Sequence, residues 1–122
     1  MDRRTTGAKG EEAAARYLED RGHTVLTRNW RGGRVELDIV TRSLDGLHFV
    51  EVKSRTAPVM ADPSVNVNYM KQKHLHAAAG RWLAKHPEFR DLEVFFDIVT
   101  VVFDGPDVDI NFYPQAFIPI YA

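Results

Sequence analysis

Near its C-terminal end the chain runs Val94-Phe95-Phe96-Asp97-Ile98-Val99-Thr100-Val101-Val102-Phe103, almost continuously apolar and rich in β-branched and aromatic residues. A strand with one solvated face alternates apolar and polar side chains, whereas an unbroken apolar run of this length predicts a strand covered on both faces. Layers on both sides of a sheet are most simply supplied by helices, so this run points to an α/β arrangement. Asp97 interrupts it. A buried carboxylate is costly unless it is paired, so Asp97 is expected to bond a nearby basic or backbone group.

The remaining periodicities supply those helices. Residues from about Lys9 to Asp20 carry Ala13, Ala14, Ala15, Tyr17 and Leu18, a strong helical pattern that Gly22 ends as a C-terminal cap. Three strands follow: His23 to Arg31; then, past the Gly32-Gly33 turn, Arg34 to Arg42; then, past an Asp45-Gly46 hairpin signal, Leu47 to Ser54. Residues 55–66, with two prolines, read as an irregular loop, either a substrate flap or a plain connector. A second helix over residues 67–86 stops at Pro87 and presents Leu75, Ala78, Ala79 and Trp82 as one stripe. After the apolar strand, Val108 to Tyr113 forms a last strand across the Gly105-Pro106 turn, and the apolar tail Phe117 to Tyr121 is expected to dock on its own domain or on a second copy. The predicted fold is one domain spanning residues 1–122, α/β in class, with a mixed central sheet flanked by helices in the order αβββαββ.

Composition removes several chemistries. The chain has no cysteine, which excludes disulfides, thiolate zinc sites and cysteine nucleophiles. Its five histidines show no metal-binding spacing and read as structural or surface residues. No apolar stretch approaches the length of a membrane span or follows the basic N-terminus as in a signal peptide, so a cytoplasmic protein with no membrane partner is expected. Net charge is −1, but unevenly spread: residues 1–86 hold 15 of the 16 basic side chains against 10 acidic ones. Local patches, rather than net charge, decide whether a phosphate backbone is attracted.

The chemistry-bearing feature is Glu51-Val52-Lys53, preceded on the neighbouring strand by Glu36 and Asp38. Side chains on a strand repeat every second residue, so Glu36 and Asp38 are expected to share one face, as are Glu51 and Lys53. If those faces coincide, three carboxylates and an amine meet on one patch. Close carboxylates repel unless a cation sits among them, and hard oxygen ligands suit Mg²⁺ or Mn²⁺. An ammonium beside a metal-bound phosphate can hold water or stabilise developing charge. The alternative is an ordinary half-exposed strand with surface ion pairs. Lys71 begins the apolar stripe of the second helix; it either reaches a carboxylate cluster or phosphate, or snorkels past the core edge.

The element order, with Asp and Glu-x-Lys on successive strands, resembles the restriction-endonuclease-like core of PD-(D/E)xK nucleases. More narrowly the chain resembles the bacterial YraN-like family, related to archaeal Holliday junction resolvases. The resemblance covers most of the chain: Gly7 to Glu11 followed by Ala14, Tyr17 and Leu18; Asn29-Trp30-Arg31; Glu36-Leu37-Asp38; Phe49 to Arg55; Lys71, Leu75 and Ala78; and Phe96-Asp97. Val35 stands where the family usually has Gly, and Leu37 rather than Pro precedes Asp38. The resemblance implies that Asp38 and Glu51 ligate Mg²⁺ or Mn²⁺ with the Val52 carbonyl, that Lys53 positions water or steadies the transition state, and that Glu11 supports the metal. Helical spacing agrees on Glu11, which shares a face with Ala14, Ala15 and Leu18 while Glu12 is rotated away. Glu36 and Lys71 are supporting candidates. Arg28, Arg31, Arg34, Arg55 and Lys71 are candidate phosphate contacts, and Trp30 is either a base-stacking residue or core.

The implied function is metal-dependent hydrolysis of DNA, with branched DNA as a candidate substrate and a homodimer matching the two-fold symmetry of a four-way junction. Two rivals stand beside it: a nucleic-acid-binding module of the same fold that cleaves slowly or not at all, and an assembly protein whose acidic patch merely pairs with basic side chains.

Overall fold

A computed structural model describes residues 2–59 and 68–117. Most of the loop expected at 55–66, and the tail beyond Phe117, lie outside them. The elements are α1 (Arg3–Asp20), β1 (Thr24–Gly32), β2 (Val35–Ser43), β3 (Gly46–Thr56), α2 (Tyr69–Lys85), a 3-10 turn (Pro87–Phe89), β4 (Val94–Asp104) and β5 (Asp107–Tyr113). The five strands form one sheet in the order β1-β2-β3-β4-β5. Only β3 and β4 are parallel, and the crossover between them contains α2. This is the expected αβββαββ order, compatible with a restriction-endonuclease-like core.

Local chemistry sets the element ends. The first helix starts earlier than its alanine pattern, because the Asp2 carboxylate accepts from the Thr5 N–H at 2.8 Å and caps it. It closes with two capping bonds, Gly22 N to Glu19 O at 3.1 Å and His23 N to Leu18 O at 3.0 Å, made possible by Gly22 at φ 92°. The β2–β3 hairpin departs from the expected Asp-Gly turn. Ser43 pairs with Gly46, which leaves Leu44 and Asp45 as the loop residues. Gly46 is required for another reason: at φ 149° it passes so near β4 that a Cβ would lie 2.3 Å from the Glu93 carbonyl oxygen.

Two cores cover the sheet. On one face α2 packs Leu75, Ala78, Ala79 and Trp82 against Leu47, Phe49 and Phe96. On the other α1 packs Ala14, Ala15 and Leu18 against Ile39, Val50, Val99 and Val101. The apolar β4 run therefore serves both faces, as its lack of alternation requires. Trp30 packs at the margin of the α2 core, where a Cβ on Gly32 would come within 2.2 Å of its ring. Asp97 is fully buried and paired in both expected ways: its carboxylate meets His48 Nδ1 at 2.5 Å and accepts from the Gln115 N–H at 2.8 Å. His48 continues the network through Nε2 to Asp45 at 2.8 Å and Ser43 at 2.9 Å. Among the described residues no helix is long and apolar enough to cross a membrane.

Candidate metal centre

The site forms where regular pairing between β2 and β3 ends. The ladder runs from Ser43↔Gly46 to Ile39↔Val50. Beyond it the Asp38 carboxylate, rather than a backbone carbonyl, accepts the Val52 N–H at 2.9 Å. On the other side of β2, Arg28↔Ile39 and Trp30↔Leu37 pair, while Asn29 between them adopts φ 54°. Alternation fails locally. Leu37 joins the α2 core and Ile39 the α1 core, although a strict period of two would place both on one face. Asp38 sits at this break.

The first helix brings a third acidic segment to the same place. It crosses β3 at Gly10, where a Cβ would fall 1.8 Å from Ser54 Oγ, so only glycine allows the approach. Gly7, the more conspicuous glycine of the resemblance, has open space around it. With the helix this close, carboxylate oxygens of Glu11, Glu36 and Asp38 all lie within 4.8 Å of one another. A cleft of about 750 Å³ opens over them, lined by Glu11, Asp38, Glu51 and Val52 with Arg3 and Arg55. Its rim is braced by Thr6 and Thr56, whose hydroxyls are 3.2 Å apart.

Electrostatics reflect the crowding. Burial, the neighbouring Glu51 charge and Glu11 push Asp38 up to about 7, against the opposing bond from the Val52 N–H. Burial raises Glu51, with Lys71 and Lys53 opposing. Burial and Glu36 raise Glu11, while Arg28 and a hydrogen bond from the Asn29 side chain pull it back. Lys53 is lowered by burial and by Arg55 and Lys71 nearby, with Glu51 opposing. Lys71 Nζ lies 3.6 Å from Glu51, so the lysine at the start of the apolar stripe reaches the cluster.

The basic candidates divide. Arg55 is exposed in the cleft and donates to the Ser54 carbonyl at 2.7 Å. Arg28 is bound to Glu12 at 2.9 Å, Arg31 stands 4.0 Å from Glu36, and Arg34 is exposed in the β1–β2 turn. Glu12 faces away from the cleft to Arg16 and Arg28. Sequence reasoning missed Arg3, which follows from the spacing Arg3, Gly7, Glu11 along one helix face once the helix is known to begin at Arg3. It also missed the left-handed backbone of Asn29.

The sequence profile described as "Uncharacterised protein family UPF0102" matches residues 10–101. Similar proteins, each described as a UPF0102 protein, occur in Myxococcus xanthus (40% identical over 116 residues, 95% of this chain and 91% of the relative) and Geobacter metallireducens (37% over 117 residues, 96% and 95%). Another occurs in Treponema pallidum (39% over 114 residues, 91% and 90%).

Proposed function

The chain belongs to the uncharacterised protein family UPF0102, and from this starting point we propose that it is a divalent-metal-dependent endonuclease of the PD-(D/E)xK superfamily acting on DNA, with branched DNA as the preferred class. The observation that carries the reading is the convergence of Glu11, Glu36 and Asp38 within 4.8 Å, with Glu51 beside them in an open cleft. Three raised carboxylates on one site describe a negative charge awaiting a cation. The donors are all hard oxygens with no sulfur or imidazole among them, which fits Mg²⁺ or Mn²⁺.

Asp38, Glu51 and the Val52 carbonyl would hold the metal, with Glu11 and Glu36 completing or supporting the set. When bound, the cation polarises the phosphoryl oxygen and lowers the pKa of water. In the hydrolysis, water oxygen bonds to phosphorus as that water releases a proton to solvent, one P–O ester bond breaks, and the departing oxygen takes a proton from solvent. Lys53, on the same strand as Glu51, orients the water or steadies charge on the phosphoryl oxygens. Lys71 balances Glu51, and Arg3 and Arg55 receive flanking phosphates. Resolving a two-fold-symmetric junction takes two such sites, hence a homodimer.

The test is a panel of labelled linear, single-stranded, flapped and four-way DNA, incubated with Mg²⁺, Mn²⁺ or EDTA and with an Asp38→Ala control. Metal-dependent cuts that disappear in the variant are expected. Binding to branched DNA without cleavage, by protein shown to be folded, would replace this reading with that of a non-cleaving nucleic-acid-binding module.

A further inference from the structure

Gly7 sits in the second turn of α1, inside an 18-residue helix. Glycine weakens a helix interior relative to alanine, because the backbone there loses more freedom on folding. Two structural demands ordinarily override that cost, and neither applies at Gly7. Its φ lies outside the left-handed region, so other residues could adopt the same backbone. A Cβ built on it meets no atom of the described residues within 4 Å, so close packing does not exclude a side chain. Gly10, three residues on, is the contrast: there a Cβ would fall 1.8 Å from Ser54 Oγ.

What Gly7 does face is the carboxylate cleft, which it lines together with Arg3, Thr6 and Glu11. Residues four apart stack on one helix face, so Arg3, Gly7 and Glu11 form a single row. At about 1.5 Å per residue, Gly7 stands about 6 Å along the axis from each of the other two. The row therefore runs from a cation, over bare backbone, to a carboxylate of the metal cluster. We propose that Gly7 is a substrate-contact residue: its missing side chain lets a nucleic-acid strand lie directly against the helix, with the sugar between the scissile phosphate and the next phosphate resting on the bare backbone. This deepens the nuclease reading above and rests on it. The scissile phosphate lies with the carboxylates, and Arg3 takes its neighbour. A methyl group at residue 7 would occupy the intervening space and lift the strand from both. Displacement by about 1 Å is enough to cost roughly a hundredfold in rate, so an open helix surface outweighs a better helix former at this one position.

The experiment compares wild type with Gly7→Ala, Gly7→Leu and, as a control, Gly80→Ala. Gly80 lies inside α2, also with no described atom within 4 Å of a Cβ, but in a separate groove beside Leu83 and Phe96 that shares no lining residue with the cleft. The readouts are the urea midpoint, Mn²⁺ affinity by calorimetry, and affinity for labelled four-way and linear DNA by fluorescence anisotropy in Ca²⁺. Both alanine variants should raise the midpoint, since each places a better helix former in open space. Gly7→Ala is expected to keep wild-type Mn²⁺ affinity while losing about tenfold in DNA affinity. Gly7→Leu should lose more, and Gly80→Ala none. A lowered midpoint in Gly7→Ala, a fall in its Mn²⁺ affinity as large as the fall in DNA affinity, an equal DNA loss in Gly80→Ala, or wild-type DNA affinity in both Gly7 variants overturns the proposal while leaving the nuclease reading standing. Wild-type protein that binds Mn²⁺ but neither DNA overturns the nuclease reading and this inference together.

Discussion

Replacing Asp38 with asparagine removes a charge that the apo fold holds at a penalty. Burial and Glu51 raise this carboxyl from an ordinary 3.8 to about 7. Between those values the folded state retains a proton that the unfolded chain has released, so the fold loses stability as pH rises from about 4 to 7. Above about 7 the loss is complete and constant. A displacement of about three pKa units at ~1.36 kcal/mol each amounts to about 4 kcal/mol at pH 8, but only about 1–2 kcal/mol at pH 5. Asparagine keeps an oxygen to accept the Val52 N–H without the charge. In EDTA, urea denaturation should therefore find Asp38→Asn more stable than wild type, with a gap that widens by about 2–3 kcal/mol between pH 5 and pH 8. The change in the gap is the decisive quantity, because differences in shape and hydrogen bonding between the two side chains do not vary with pH. Saturating Mn²⁺ should then stabilise wild type and leave the variant unmoved. A gap independent of pH, or a variant less stable than wild type at pH 8, would refute the account of Asp38 as an uncompensated buried charge.

Two further predictions concern the frame around the site. Gly10→Ala places a methyl group into Ser54, which should cost about 1–3 kcal/mol and weaken Mn²⁺ binding by lifting Glu11 away; Ser54→Gly in the same chain should restore both, and absence of rescue in urea and Mn²⁺ titrations would show that the crossing does not set the site. At His48, burial opposes the charged ring, but hydrogen bonds to Asp97 and Asp45 outweigh it and hold the pKa above the ordinary imidazole value. That contribution is fully present below about pH 6.5 and is lost as pH rises through the raised folded value. His48→Gln should thus cost about 3–5 kcal/mol at pH 6 and progressively less at higher pH; a denaturation penalty that is flat or grows with pH would refute the charged pairing with Asp97.

Much of this architecture is legible from neighbouring residues. The unalternated run at 94–103 anticipates a strand buried on both faces, and the stripe Leu75, Ala78, Ala79 and Trp82 anticipates the helix that covers one of them. Asp97 could be read as buried and paired, though not with which partner: His48 lies 49 residues away in the chain. Likewise Asp45-Gly46 correctly signals a hairpin, yet Gly46 is needed for its approach to Glu93 rather than as a loop residue. Capping by Asp2 was invisible to a pattern search built on alanine periodicity, and Arg3 was lost with it.

Short-range periodicity, near two for strands and 3.6 for helices, is written in the sequence and determined the elements, their order and the residues able to ligate a cation. It did not determine which carboxylates meet. Glu11, Glu36, Asp38 and Glu51 come together through a helix crossing at Gly10 and a lapse in alternation between Leu37 and Ile39. Alternation holds where the sequence reading relied on it, with Glu36 and Asp38 on one face and Leu37 on the other, and lapses only at the next residue, Ile39. Those features are set by packing between segments distant in the chain. Only the tertiary structure, where two cores pull Leu37 and Ile39 to opposite sides of one strand, decides them.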